Sequence, residues 1–278
     1  MRAVVLDGYG QPQLTDLPAP ADSIEVLACG LCGSDVEKLG TAPAGTVLGH
    51  EVVARVEDRR LALVHHLPCG ECERCRAGHE SQCAQFLEPT IVPGGFAERV
   101  WSKHGVELPD EIGDALGTYV EPLACVLRSL ELVPRGRVLV VGCGFVGRLH
   151  AEALRARGDE VFALEPRPER RCAPEPDGPV AAAVLCAPAG ANDALAALEP
   201  GGTLLVFAPA RDLELDLVYR RELTVRGSRS ATPAGMVDAV RLLPQLELPD
   251  PLVLPLERFA EGLERYRSGA ALKVVFAP

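Results

Sequence analysis

Cys69-Gly70-Glu71-Cys72-Glu73-Arg74-Cys75, followed by Cys83, sets four thiols at spacings of two, two and seven intervening residues. Zinc takes four sulfurs tetrahedrally at about 2.3 Å, and short Cys-x2-Cys turns can deliver them from a small loop. Such a loop cannot build an apolar core of its own, so metal binding would contribute directly to its folding. With all four positions filled by Cys69, Cys72, Cys75 and Cys83, no place is left for a substrate, and this zinc would be structural. An iron–sulfur cluster or a chance gathering of free thiols are the alternatives, and the spacing favours them less.

A second pattern is Gly142-Cys143-Gly144-Phe145-Val146-Gly147. It follows an apolar run, 137–141, and opens a stretch with helical periodicity, 145–157, the context that gives G-x-G-x-x-G its meaning. Gly142, Gly144 and Gly147 permit a tight turn and close approach of backbone to a pyrophosphate. Phe145 and Val146 open the helix whose N-terminal amides attract that anion. Glu165 ends the next apolar run, where a carboxylate can accept both ribose hydroxyls and repel a 2′-phosphate, so NAD is expected. Arg167, Arg170 and Arg171 follow closely and keep NADP open, with Arg170 counted among the cofactor-binding candidates.

These groups need rigid elements behind them. Residues 1 to about 129 read as short strands and loops with glycine and proline punctuation. Residues 121–130 read as a helix with proline in its first turn. Strand-like runs at 137–141, 160–164, 182–186, 203–207 and 223–226 alternate with Ala/Leu-rich connections, which argues for a doubly wound α/β sheet. Thr232-Pro233 reads as a helix cap and first turn, with Val237, Val240 and Leu243 expected on the buried face. Phe259, Leu263 and Tyr266 repeat the pattern, and 273–276 reads as a closing strand.

Three further motifs complete the set: Cys29-Gly30-Leu31-Cys32-Gly33-Ser34-Asp35, Gly49-His50-Glu51 and Glu121-Pro122-Leu123-Ala124. In this order, around a four-cysteine lobe and ahead of a dinucleotide fold, they make the chain resemble the zinc-containing medium-chain dehydrogenase/reductase family. The nearest branch looks like the sorbitol (L-iditol) and threonine dehydrogenases. The resemblance extends to Pro93-Gly94-Gly95-Phe96-Ala97-Glu98, to 223–228 and to 268–273. It implies a mainly β GroES-like catalytic domain over 1–131 with its zinc lobe at about 67–85. A Rossmann domain over 132–252 and a C-terminal segment, 253–278, returning to the catalytic domain would follow.

The resemblance also implies that Cys32, His50 and Glu121 ligate a second, catalytic zinc with one position left for the substrate oxygen. Such a zinc acts as a Lewis acid on an alcohol, whose hydride passes to the nicotinamide. Asp35 would fix the His50 tautomer, and Glu51 would stand beside the metal or serve as an alternate ligand. Ser34 matches a proton-relay hydroxyl, with Glu37 where many relatives carry a relay histidine. Lys273 matches a contact to the cofactor pyrophosphate. His65 and His66 read as packing or surface residues, and Cys29, Cys125, Cys143 and Cys186 as small buried apolar groups.

The chain departs from that family by being short. It looks trimmed before Cys29, at 55–63 and at 170–180, where the nucleotide fold would carry its third strand, so that strand is expected to be shortened or missing. Composition only excludes. A formal charge of −11 over 278 residues argues against nucleic acid or an anionic membrane as partner. A mean hydropathy of +0.12 accompanies apolar runs too short to span a bilayer. No signal-peptide pattern opens the chain, and ten cysteines without one call for metal rather than disulfides, so a cytoplasmic location is expected. The expected partners are a small alcohol or carbonyl substrate and further copies of the chain, as a homodimer or homotetramer. The leading reading is a zinc-dependent, NAD-linked dehydrogenase of a secondary alcohol in a polyol, sugar or amino-alcohol. An NADP-preferring carbonyl reductase and a non-catalytic zinc- and nucleotide-binding regulator are the alternatives.

Overall fold

The computed structural model describes residues Met1–Pro278, the side chain of Leu87 excepted. By packing, the chain divides into two compact units. One comprises Met1–Pro122, Thr232–Pro244 and Pro249–Pro278, and the other Leu123–Ala231 and Gln245–Leu248.

The first unit is mainly antiparallel β. Strands β1 (Arg2–Leu6) and β2 (Pro12–Asp16) pair with each other. Strands β3 (Ile24–Gly30), β4 (Glu51–Val56), β5 (Arg59–Leu63), β6 (Arg99–Val100) and β7 (Gly105–Glu107) belong to a larger sheet. Two short helices, α1 (Gly33–Lys38) and α2 (Glu73–Arg76), lie between them in sequence, and a third, α3 (Asp114–Gly117), follows β7. Helix α4 (Val120–Leu130) begins in this unit and ends in the next.

The second unit holds five parallel strands: β8 (Arg137–Val141), β9 (Glu160–Leu164), β10 (Val180–Leu185), β11 (Leu198–Val206) and β12 (Thr224–Gly227). Their order is β12-β11-β10-β8-β9. Val138 to Val141 are all buried, as a central strand covered on both faces requires. Helix α5 (Phe145–Arg157) follows β8, and α6 (Ala191–Ala197) and α7 (Leu215–Arg220) complete the connections. Among the described residues no strand lies beyond β9, the edge expected from the shortness of the 165–179 stretch. One turn of helix, Pro168–Arg170, occupies part of that stretch, and Ala163 of β9 donates its N–H to Pro174 O at 2.9 Å in place of a strand partner.

The chain then returns to the first unit through α8 (Pro233–Leu242), β13 (Leu252–Pro255), α9 (Phe259–Ser268) and β14 (Val274–Ala277). The larger sheet runs β13-β14-β3-β4-β5-β7, with β6 also on β3. Its core gathers Leu6, Val26, Leu31, Phe96, Phe259 and Phe276, the three aromatic rings lying 4.6 to 5.6 Å apart.

Two details differ from what the sequence leads one to expect. Helix α8 falls within 132–252, the span expected to form a nucleotide domain, yet it packs on β7 of the first unit. By packing, Thr232–Pro244 groups with the first unit and Gln245–Leu248 with the second. The buried face of α8 is Met236, Ala239 and Leu243, while Val237 is exposed. A strict spacing of three slips back roughly 60° per step on a helix of 3.6 residues per turn, so Val237, Val240 and Leu243 cannot share a narrow stripe.

Helix α5 packs its first turn tightly. A Cβ on Gly147 would collide with the carbonyl oxygen of Gly142. One turn further on, His150 is wholly buried, with Nε2 2.9 Å from Ser129 Oγ and Nδ1 3.0 Å from Val146 O. Burial pushes its pKa down from 6.5 to about 4. The unfolded chain therefore binds the extra proton first, and stability falls as pH drops from about 6.5 to about 4. A tenfold difference in proton affinity between the folded and unfolded chain corresponds to about 1.4 kcal/mol. In urea titrations His150→Gln is expected to lose less stability than the wild type between those two pH values. Equal losses would show that His150 does not carry the effect.

Candidate active site

Cys32 follows β3 and caps α1, and His50 directly precedes β4, so the antiparallel pairing of β3 with β4 brings the two turns together. Gly30 pairs with Glu51 in that register. A ligand atom from each of Cys32, His50 and Glu51 lies within 4.8 Å of the others, and His50 and Glu51 are buried. Thiol, imidazole and carboxylate converging in a buried place form a donor set suited to zinc, with fewer than four protein ligands.

Asp35 holds this arrangement. Its carboxylate accepts the N–H of Cys32 at 3.1 Å and of Gly49 at 3.2 Å, and stands 3.3 Å from His50 Nδ1. Burial opposes charge on both partners, yet their mutual attraction outweighs it: Asp35 is held below its ordinary pKa and His50 well above. With Nδ1–H aimed at Asp35, Nε2 is the ring nitrogen left for a metal, which would take the place of its proton.

Glu51 is 1% exposed at its side chain and is paired with the Lys273 ammonium, which also donates to Leu31 O at 3.2 Å. Sequence resemblance puts Lys273 on a cofactor pyrophosphate; in the structure its ammonium lies on Glu51. The residue is 2% exposed and turned inward, because β14 pairs with β3 and carries the lysine stem over Glu51. Gly30 makes room: a Cβ there would run into Glu51 Oε2 and approach Lys273 Cε to 3.1 Å.

Glu121 stands in the first turn of α4 and is buried, but it is not a member of the Cys32–His50–Glu51 group. Ser34 is half-buried on α1 and Glu37 exposed three residues along. Two neighbours of the cluster carry no sequence signal of their place there. The His65 ring lies 4.7 Å from that of His50 and 3.8 Å from that of His66, which in turn stacks on Phe86. Burial, with His50 beside it, drives the His65 pKa down to about 2, so its ring is neutral. The Tyr266 hydroxyl lies against Gly33, with burial and the Cys32 sulfur opposing its ionisation. Periodicity places Tyr266 in an apolar helical stripe, but it does not say where the hydroxyl ends.

The lobe of Cys69, Cys72, Cys75 and Cys83 folds as two Cys-bearing turns over the buried ring of Phe86. All four sulfurs lie within 4.8 Å of one another, with Cys69–Cys75 at 3.9 Å and Cys72–Cys75 at 3.5 Å. A tetrahedron of ~2.3 Å metal–sulfur bonds has edges of about 3.8 Å, so the cage fits zinc. Backbone amides already point at the sulfurs: Cys69 N–H to Cys83 Sγ at 3.4 Å and Cys72 N–H to Cys69 Sγ at 3.3 Å. The first of these is the main cause that lowers the Cys83 thiol to about 6.

In the second unit, Gly144 caps α5 without a side chain in the way of an anion. Glu165 sits at the end of β9, its two oxygens accepting the N–H of Cys143 at 2.8 Å and of Arg167 at 3.1 Å. Arg170 is half-buried, and its carbonyl accepts from the Arg148 guanidinium at 2.9 Å.

Removing one partner of a buried ion pair leaves a charge without compensation and costs about 3–5 kcal/mol. Lys273→Met is therefore expected to lower stability in urea by that order. Combining it with Glu51→Gln should restore part of the loss, and strictly additive losses would contradict the pairing.

Residues 22–110 match the alcohol dehydrogenase GroES-like domain. The L-galactonate-5-dehydrogenase of Escherichia coli (strain K12) is 26% identical over 306 aligned residues, covering 90% of each chain. The L-threonine 3-dehydrogenase of Chelativorans sp. (strain BNC1) is 31% identical over 170 residues, 51% of this chain and 49% of that one, so the match spans about half of that relative. The fold matches that of acetophenone reductase from Geotrichum candidum in complex with NAD, with a TM-score of 0.86 at 19% identity over 100% of this chain and 97% of that one. With its GroES-like domain, its four-cysteine lobe and its parallel nucleotide-type sheet, the chain is similar to the zinc-dependent dehydrogenases of the medium-chain dehydrogenase/reductase family.

Proposed function

We propose that this chain is a zinc-dependent, NAD-linked dehydrogenase of a secondary alcohol carried on a polyol, sugar acid or amino-alcohol. The observation that carries the reading is the buried convergence of Cys32, His50 and Glu51. The relatives named for L-galactonate and L-threonine support the substrate class, since both molecules bear a secondary hydroxyl.

When bound, zinc would act as a Lewis acid that makes the substrate hydroxyl easier to deprotonate, and the nicotinamide would take the hydride. The chain's own residues do the rest. Cys32 and His50 would hold the metal, with Glu51 or Glu121 as third ligand. Asp35 fixes the His50 tautomer through Nδ1. Ser34 and Glu37 stand three residues apart on α1, close enough in azimuth to hand the released proton from a half-buried position to an exposed one. Lys273 neutralises Glu51, so the pocket can hold three acidic donors without excess negative charge. Gly142, Gly144 and Gly147 would admit the pyrophosphate to the backbone of the turn, with Phe145 and Val146 opening the helix behind it. Glu165 would exchange its two amide partners for ribose hydroxyls, which favours NAD over NADP.

Reduced-cofactor absorbance with a panel of polyols, sugar acids and amino-alcohols, offered with NAD and NADP, tests the reading. Turnover with NAD is expected. Cys32→Ala should lower it at least about a thousandfold, some 4 kcal/mol of lost stabilisation, and release one of two zinc equivalents. Cys83→Ser should release the other. Zinc contents of Glu51→Ala and Glu121→Ala assign the third ligand. Full activity in Cys32→Ala would defeat the proposal, and a much tighter NADP complex would defeat the role given to Glu165.

No helix among the described residues is long and apolar enough to cross a membrane. For partners, we propose self-association through β12, an edge strand exposed along its whole length with Val225 at its centre. Sedimentation is expected to give a dimer or tetramer, and Val225→Lys a smaller species. A monomeric wild type would end this reading.

A further inference from the structure

Cys143 lies inside the glycine-rich turn and is wholly buried, while Cys172 lies half-exposed in the stretch that replaces the third strand. From sequence, Cys143 is expected to be a small apolar filler. The structure instead sets Cys172 Sγ 2.8 Å from Cys143 Sγ, and the Cys172 N–H donates to the same sulfur at 3.3 Å. A disulfide needs about 2.05 Å, so the pair is within 1 Å of bonding distance. The two sulfurs share protons unequally. The hydrogen bond from Cys172 draws the Cys143 thiol down to about 7 against the opposing effect of burial, with Arg148 assisting. The neighbouring Cys186 is engaged differently, its sulfur 3.5 Å from His150 Nδ1 and its thiol pushed up by burial. The four lobe cysteines form the metal cage already described.

The turn, the acid and the loop are already one network. Glu165 takes the Cys143 N–H on one oxygen and the Arg167 N–H, at the start of the loop, on the other. A dinucleotide bound as proposed above would loosen these contacts: the backbone of 142–147 would admit phosphate, and Glu165 would turn from the amides toward ribose in a separation of turn and loop. A covalent tie between 143 and 172 would oppose that separation.

We propose that Cys143 and Cys172 form a reversible disulfide that clamps residues 165–179 onto the glycine-rich turn and lowers the affinity for the dinucleotide. The inference rests on the cofactor reading of that turn. The oxidant is a low-molecular-weight disulfide such as oxidised glutathione. The half-exposed Cys172 thiol gives its proton to solvent, and its sulfur attacks one sulfur of the oxidant, forming a mixed disulfide and expelling one thiolate. The Cys143 sulfur then attacks Cys172 Sγ and expels the second thiolate, and the two protein protons end, through solvent, on the two released thiols. Two protein thiols are oxidised, one disulfide is reduced, and excess thiol reverses the exchange. Disulfides of this transient, sensing kind occur even in compartments that keep thiols reduced.

The test uses the zinc-loaded full chain equilibrated at a series of reduced-to-oxidised glutathione ratios. Alkylation and peptide mapping read the 143–172 linkage, and calorimetry reads the Kd for NAD. The linked peptide is expected to grow with the oxidised fraction and vanish with dithiothreitol, while Kd rises by about tenfold or more. Cys172→Ser should bind NAD as the reduced wild type does at every ratio. No linkage at any ratio, linkage with unchanged Kd, or an equal rise in Cys172→Ser would each overturn the proposal. A reduced protein that binds neither NAD nor NADP would instead overturn the cofactor reading, and the peptide map alone would then still decide whether the thiols pair.

Discussion

A carboxylate taken out of water costs several kcal/mol unless hydrogen bonds and an opposite charge replace its hydration. Asp35, 2% exposed, meets that demand from three directions: the Cys32 amide, the Gly49 amide and the His50 imidazole. Those partners come from the end of β3 and the turn into β4, so satisfying one buried acid obliges two distant loops to meet. The convergence of Cys32 and His50 follows from this constraint as much as from strand pairing. A side chain that would touch no substrate thereby determines where two candidate metal ligands stand and which imidazole nitrogen faces them.

The same electrostatic demand recurs one layer deeper. Glu51 adds a second buried carboxylate, and its charge is answered by Lys273 from the far end of the chain. The lysine arrives because β14 pairs with β3, and it fits because Gly30 has no side chain. The C-terminal segment is thus part of the site rather than an appendage to it. Beside the site, the row of rings His50, His65, His66 and Phe86 joins the candidate catalytic cluster to the four-cysteine lobe. This gives the lobe a mechanical connection to the cluster in addition to its own metal cage.

The second unit shows what shortening does to a parallel sheet. Without a third strand β9 becomes an edge, and the 165–179 stretch covers it by accepting the Ala163 N–H at Pro174 O and by contacts to the glycine-rich turn. The loop that replaces a whole helix and strand lies directly against Cys143 and Glu165. Loss of the strand therefore changes the surroundings of the nucleotide turn as well as the width of the sheet.

Local chemistry is legible wherever a motif is contiguous. The Cys-x2-Cys spacings, the run 137–141 with its glycine turn, and the helix 145–157 are each determined by neighbours in sequence, so spacing and periodicity alone place them. The missing strand is equally legible, because a stretch too short to form an element cannot hide it. Other features depend on long-range register. The motif around Lys273 does not show that it meets Glu51, a contact that the pairing of β14 with β3 brings about. Sequence leaves both Glu51 and Glu121 as candidate acids beside the metal, and it is Glu51 that the fold brings within reach of Cys32 and His50. Val237 is exposed because the orientation of α8 is set by β7, and Cys143 meets Cys172 across 29 positions. Residue type and spacing determine what a segment can do, but which groups become neighbours is decided by strand pairing and by the need to compensate each buried charge, and neither is written locally.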